Sequence, residues 1–339
     1  MFAVPGIDKS MSYAKRDLIL ICLNPVLMIG AILAGGYGKR LKPITDEIPK
    51  ALVQIRENYT IMDRQIFDFA NMGVKDIYIL SGYLGEKIEE RYGDEHSGMR
   101  FHYLREQKPL GTLFSLRNLL NEKADDDIIL RNGDTVTDLN FNRFIKFAQQ
   151  SSYGIVMFVT RMKSPFGIVD MLGDQITQFK EKPFLNYFIN AGIYYLKKET
   201  FNLFFEEYID KEIETTIFPK LANQKLAGAY NEETMWLGID SEKDLEQIRR
   251  EYSNRTDYVW GYKKALYWEN GKGIDEYFVK GDEKFPMELG ESSIIRIING
   301  SGVYSDGGMH KFSSHDVIHL SGKISMEPLE NTRFEVISI

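Results

Sequence analysis

Cysteine is almost missing from this chain, with Cys22 alone among 339 residues, and histidine is scarce at five. A single thiol excludes an internal disulfide framework and any cysteine-rich metal centre, and points to a reducing, cytoplasmic compartment. An excess of positive charge is missing too: 49 acidic side chains face 42 basic ones, for a formal net charge of -7. No broad basic surface can then release counterions from nucleic acid, which excludes a general nucleic-acid binder. A local cluster of Lys and Arg still suffices for a small anionic substrate. Internal repeats and low-complexity segments are absent. The stretch from Leu18 to Ala34 is mostly apolar, but Asn24-Pro25 interrupts it and its second half reads as a strand, so neither a membrane span nor a signal peptide is expected. Met28 stands directly before that strand, and residues 1–27 read as an N-terminal extension.

What is present is an ordinary apolar content of 43% with 27% charged residues, enough for one domain of roughly 200 to 250 residues and a second, smaller one. From residue 28 to 252, short β-rich runs alternate with helical patterns, the signature of an α/β domain. Ile61–Met72 and Thr112–Asn121 read as helices, Asp76–Leu80 and Asp127–Arg131 as strands, and Gly173-Asp174 as the turn of a hairpin. Asp138 is expected to cap a helix beginning near Leu139. After about residue 256 the pattern changes to short strands separated by Asn270-Gly271, Gly281-Asp282, Asn299-Gly300 and Asp306-Gly307-Gly308. Such turn dipeptides predict an all-β module over residues 257–339.

The most informative stretch runs from Ile29 through Gly35-Gly36-Tyr37-Gly38-Lys39-Arg40 to Pro49-Lys50. An apolar strand empties into three closely spaced glycines, whose backbone N–H groups can approach a phosphate, and basic side chains follow. It is not the dinucleotide fingerprint, because Leu41 stands where the third glycine belongs. Nor is it a P-loop, which needs glycine at the position of Leu33 and Ser or Thr at that of Arg40. Gly-Gly-x-Gly-x-Arg-Leu-x-Pro followed by Pro-Lys instead resembles the signature of the sugar-1-phosphate nucleotidylyltransferases. The resemblance continues in order through Pro109-Leu110-Gly111-Thr112, Asn132-Gly133-Asp134, Phe166-Gly167, Glu181-Lys182-Pro183, Asn190-Ala191-Gly192 and Trp236 to Asp240, over about residues 28–250.

That resemblance implies a Rossmann-like mixed sheet and the transfer of a nucleotidyl group from a nucleoside triphosphate to a sugar 1-phosphate. A sugar phosphate is already ionised near neutral pH, so its oxygen can attack the α-phosphate in line without a general base. Charge management is then the main task, which suits a motif set rich in Arg, Lys and Asp and free of histidine. The resemblance gives Arg40 the triphosphate tail, Lys50 the reacting phosphates and Lys182 the phosphate of the sugar. Leu33, Gly35, Gly36, Gly38, Gly111 and Thr112 are implied in nucleotide binding, and Gly167, Glu181 and Asn190 in sugar-phosphate binding. Glu106 and Gln107 either contact the base or face solvent. Asp134 and Asp240 are the implied Mg²⁺ ligands. Asp240 stands two positions later than the family's usual aspartate, a spacing that resembles the glucose-1-phosphate cytidylyltransferase branch. Leu113-Phe114-Ser115 replaces the usual small residues beside the base.

The β-rich tail loosely resembles the cupin barrel of enzymes that join mannose-1-phosphate guanylyltransferase to an isomerase, but it has no histidines in Met287–Ile294, where the isomerase's metal ligands should fall. If His315 and His319 shared a strand they would lie roughly 13 Å apart, too far for one ion. Packing, oligomerisation and regulatory binding all remain open for this module. Guanine with mannose and cytosine with glucose are competing hints for the substrates. A non-catalytic nucleotide-sugar sensor, or transfer to another phosphorylated alcohol such as phosphocholine, are the rival functions.

Overall fold

The computed structural model describes residues 28–339 except Pro109; the extension 1–27, with Cys22, and Pro109 lie outside the described residues. The chain divides into two compact units, of which the first is Met28–Arg250 and the second contains Glu251–Ile339.

The first unit is built on an eight-stranded mixed sheet. Its order is Ala227–Asn231, Ile155–Lys163, Phe184–Leu196, Asp127–Asn132, Met28–Ala34, Asp76–Ser81, Met99–Arg105 and Glu95–His96. Met28–Ala34 runs parallel to both of its neighbours, and Phe184–Leu196 runs antiparallel to both of its own. A central parallel strand is covered on both faces, which is why its sequence is a continuous apolar run rather than an alternating one. Alternate side chains feed two cores. Ile32 and Ala34 join Ile66, Phe69 and Phe144 on one face, and Ile29 and Ala31 join Leu113, Leu116 and Phe204 on the other.

The helix Ile61–Asn71 starts at a capping box in which the Thr60 hydroxyl accepts from the Asp63 N–H and the Asp63 carboxylate accepts from the Thr60 N–H. Asp138 does not cap the next helix. That helix is Phe141–Gln150 and its cap is Asn140, while Asp138 is buried 3.4 Å from Arg64. The long strand Phe184–Leu196 is followed by a 3-10 helix, Lys198–Phe205. No helix among the described residues is long and apolar enough to cross a membrane.

The second unit carries an eight-stranded antiparallel sheet with a core of Val279, Phe285, Ile295, Phe312 and Phe334. Asn270 and Gly271 both have positive φ, 51° and 80°, the conformation of a two-residue hairpin turn between Gly261–Glu269 and Lys272–Val279. His319 lies on the strand Val317–Pro328, whereas His315 lies before it with φ 74°, so the two do not share a strand. His310 sits 3.0 Å from Asp306.

Candidate active site

Strand order reverses at Met28–Ala34: the chain moves outward through Asp76–Ser81 and Met99–Arg105, then returns to Asp127–Asn132 on the opposite side. The carboxyl ends of strands at such a reversal splay apart and leave a crevice. Both loops singled out in the sequence, Gly35–Lys50 and Asn132–Asp134, leave the sheet at this edge.

Two glycines shape it. Gly38 adopts φ 60°, and a Cβ there would lie 2.8 Å from the methyl of Thr45, whose hydroxyl donates to the Gly38 carbonyl at 2.8 Å. The Gly133 N–H donates to the Leu33 carbonyl at 2.9 Å, and a Cβ on Gly133 would come within 2.6 Å of that oxygen. Glycine at 133 thus lets two strand ends close together and sets Asp134 beside the first loop. Gln65, fully buried on the helix Ile61–Asn71, donates through Nε2 to the carbonyls of Asn132 and Thr135, each at 2.9 Å. This single amide fastens both sides of the turn that presents Asp134.

Asp240 arrives from far along the chain. The short strand Trp236–Gly238 pairs antiparallel with Thr135–Thr137, and the Ile239 N–H donates to the Asp134 carbonyl at 2.9 Å. The Trp236 indole donates to the Ala191 carbonyl at 2.8 Å, tying the irregular stretch of Phe184–Leu196 at Asn190–Gly192 to the same short strand. The Asn190 side chain bonds the Tyr194 hydroxyl and the Gly192 N–H.

The result is a four-membered charge cluster. The Lys50 ammonium lies 2.7 Å from Asp134 Oδ2 and 2.7 Å from Asp240 Oδ1, and Arg40 Nη2 lies 2.9 Å from Asp240 Oδ1. Burial pushes the Asp240 carboxyl pKa up, but hydrogen bonds and positive charge from Lys50 and Arg40 outweigh it and hold the carboxyl below its ordinary value. Two hard carboxylates converging on one cation are a donor set that suits Mg²⁺, which takes one or two carboxylates and leaves the remaining positions to water and phosphate oxygens. Among the described residues no group of three or more His, Cys, Asp or Glu side chains is placed to hold a metal. The residues therefore fit a Mg²⁺ ion shared with substrate, not an all-protein cage.

Next to the cluster opens a cavity of about 300 Å³, lined by Leu33, Gly35, Gly36, Lys50, Gly111, Thr112 and Asp134 and by three carboxylates, Glu106, Glu212 and Glu214. Glu106 accepts from the Leu110 N–H at 3.1 Å and from the Ser115 hydroxyl. Gln107 is exposed and lines an adjoining groove with Tyr37 and Tyr83, to which Glu106 also belongs. Glu212 Oε2 accepts the Thr112 N–H at 3.1 Å, and the Thr112 hydroxyl lies 2.9 Å from Glu212 and 3.2 Å from Glu214. Neither Glu212 nor Glu214 was legible in the sequence, where Glu-Ile-Glu in an irregular segment reads as solvated surface; Gln65 reads as an ordinary helix residue.

Gly167, Glu181 and Lys182 do not line this cavity. They flank the exposed hairpin Ile168–Leu172 and Gln175–Lys180, and Lys182, with φ 45°, reaches Glu181 at 3.4 Å, the two side chains 46% and 62% exposed.

The family model described as Nucleotidyl transferase matches residues 29–255. The chain belongs to the nucleotidyl transferase family. Among relatives of this nucleotidyl transferase, mannose-1-phosphate guanylyltransferase catalytic subunit beta of Danio rerio is 32% identical over 229 residues, covering 64% of this chain and 62% of that one. Mannose-1-phosphate guanyltransferase 2 of Candida glabrata is 33% identical over 230 residues, covering 64% and 63%. The chain therefore spans less than two thirds of the length of these relatives. Among solved structures, one described as a glucose-1-phosphate thymidylyltransferase of Bacillus anthracis, in complex with sucrose, matches with a TM-score of 0.56 at 21% identity, over 66% of this chain and 94% of that one. HddC of Yersinia pseudotuberculosis, in complex with GMP-PN, matches with a TM-score of 0.51 at 22% identity, over 66% and 99%. At these identities the structural likeness speaks for the fold of the first unit.

Proposed function

We propose that this nucleotidyl transferase moves a nucleotidyl group from a nucleoside triphosphate to a sugar 1-phosphate and releases pyrophosphate. The observation that carries the reading is the convergence of Lys50, Arg40, Asp134 and Asp240 at the mouth of the glycine-lined cavity. The cavity is lined by the glycine loop and Lys50 and also by three carboxylates, Glu106, Glu212 and Glu214. That lining suits a nucleotide with its phosphates toward Gly35, Gly36 and Lys50 and its base toward the carboxylates. Among the bases only guanine offers a carboxylate two adjacent donors, N1–H and the exocyclic amine; cytosine and adenine offer the amine alone, and uracil and thymine a single N3–H between two carbonyls. Guanine is therefore the preferred base, in keeping with the names of the guanylyltransferase relatives, and mannose 1-phosphate is the first acceptor to test.

In the reaction the sugar-phosphate oxygen attacks the α-phosphorus as the bond to the leaving pyrophosphate breaks. Lys50 neutralises charge gathering on the α-phosphate, Arg40 binds the leaving phosphates, and Lys182 with Glu181, Gly167 and Asn190 receives the sugar phosphate. Asp134 and Asp240 would hold Mg²⁺, which supplies Lewis-acid neutralisation of phosphate charge. The first unit is the catalytic domain in this reading, and the β unit is a cupin-like module without an isomerase centre.

A pyrophosphate-release matrix, the common nucleoside triphosphates against a panel of sugar 1-phosphates and phosphocholine with Mg²⁺, tests the assignment. GTP with mannose 1-phosphate is expected to be fastest. Tight nucleotide-sugar binding with no release from any pair would make the protein a sensor, and turnover with phosphocholine alone would move the acceptor. Lys182→Ala is expected to lower kcat/KM for the sugar phosphate by about 10²-fold, chiefly through KM, with the affinity for GTP unchanged in a direct binding titration. An equal loss of GTP affinity would remove Lys182 from the acceptor side.

A further inference from the structure

The place a divalent cation needs, between two carboxylates, is taken by protein cations. Lys50 bridges Asp134 and Asp240 at 2.7 Å each, and Arg40 reaches the same Asp240 oxygen at 2.9 Å. Two carboxylates and two cationic side chains balance, so the cluster is neutral as it stands. The Lys50 side chain is only 15% exposed, and its backbone is fixed because the 3-10 turn Lys50–Leu52 buries Ala51 and Leu52. A metal ion arriving alone would have to break three charged hydrogen bonds and leave an ammonium and a guanidinium facing a dication. A triphosphate changes that balance. It offers Lys50, which lines the cavity, and Arg40 new anionic partners, and it frees both carboxylates at the moment it brings oxygens of its own for the metal.

We propose that Lys50, supported by Arg40, is a placeholder that closes the metal site of the free protein, and that the nucleotide's phosphates open it by drawing Lys50 away. Metal and nucleotide then enter together, and each tightens the other by the same factor, as linkage requires. This inference rests on the nucleotidyl-transfer reading of the same site. It gives Lys50 two successive partners: the carboxylates before substrate arrives, and the phosphates during the reaction.

The test is Mn²⁺ binding to the full chain, followed by electron paramagnetic resonance and calorimetry, for wild type, Lys50→Met and Lys50→Met/Asp134→Asn, without nucleotide and then with GTP. Wild type is expected to bind Mn²⁺ weakly alone and at least ten-fold more tightly with GTP. Lys50→Met is expected to bind Mn²⁺ alone at least ten-fold more tightly than wild type, and the double variant to lose that gain. Mg²⁺ alone should raise the melting temperature of Lys50→Met and leave that of wild type in place, since a ligand stabilises only the state it binds. Lys50→Gln, which keeps a donor, provides the same comparison should the methionine variant fold poorly. Equal or weaker Mn²⁺ affinity in the folded variants, or an equal Mg²⁺ shift in variant and wild type, overturns the placeholder. Wild-type pyrophosphate release is measured in parallel: turnover with unchanged Mn²⁺ affinities sinks the placeholder alone, and no turnover with any substrate pair sinks the nucleotidyl-transfer reading.

Discussion

Asp134→Asn is expected to lower the rate of pyrophosphate release by about 10³-fold, the scale on which removal of one strong electrostatic contact to a reacting group is felt, while leaving the fold intact. The substitution is nearly isosteric and keeps an oxygen able to accept from Lys50, which still holds Asp240 at 2.7 Å. The turn itself is held by backbone bonds that do not involve this side chain: Gly133 N–H to Leu33, Ile239 N–H to the Asp134 carbonyl, and the Gln65 amide to Asn132 and Thr135. What is lost is one of the two formal charges that converge where a divalent cation would bind. Steady-state rates at saturating GTP and sugar phosphate, with a melting curve alongside, check both halves. Turnover close to wild type would remove Asp134 from the reaction.

Asp68→Ala is expected to destabilise the first unit by about 3–5 kcal/mol, the usual consequence of removing one partner from a buried ion pair. Asp68 stands between two buried guanidiniums: Arg64 from its own helix reaches Oδ1, and Arg131 from the strand Asp127–Asn132 reaches Oδ2 at 2.7 Å. Both arginine side chains are essentially inaccessible, 3% and 0% exposed, so water cannot replace the carboxylate. The loss reaches the site, because Arg64 Nη2 also donates to the Thr137 carbonyl at 2.9 Å, on the short strand that follows Asp134 and pairs with Trp236–Gly238. Urea unfolding of the first unit measures the destabilisation, and a fall in kcat at temperatures well below the transition measures the loosened site. Destabilisation below about 1 kcal/mol would show that the arginines find other compensation.

Much of this architecture could be read from residues alone because its causes are local. Buried parallel strands are continuous apolar runs, the helix at Ile61 carries its capping box in Thr60 and Asp63, and Asn270-Gly271 states its own hairpin turn. The spacing of glycines before Arg40 likewise marked a tight loop, and Gly38 takes the positive φ of 60° that glycine allows. Asp138 shows where local reasoning ends. As a short acidic residue just ahead of a helix it satisfies every rule for a cap, yet Arg64, distant in sequence, draws it into the interior and leaves capping to Asn140. Glu106 and Gln107, adjacent and alike on paper, both line the outer groove, but only Glu106 also reaches the cavity beside Lys50 and Asp134.

The sequence by itself determined the α/β character of the first unit, the all-β character of the second and the order in which the residues proposed to handle phosphate appear. Periodicity and turn chemistry are set by neighbours in the chain. Only the tertiary structure decided that Lys50 meets Asp134 and Asp240, 84 and 190 residues away, and that Glu212 and Glu214 line the same cavity. The reason is topological. Neighbouring parallel strands are joined by long crossovers, so the side chains that meet at their carboxyl ends are far apart in sequence, and ion-pair partners chosen across such distances leave no periodic trace.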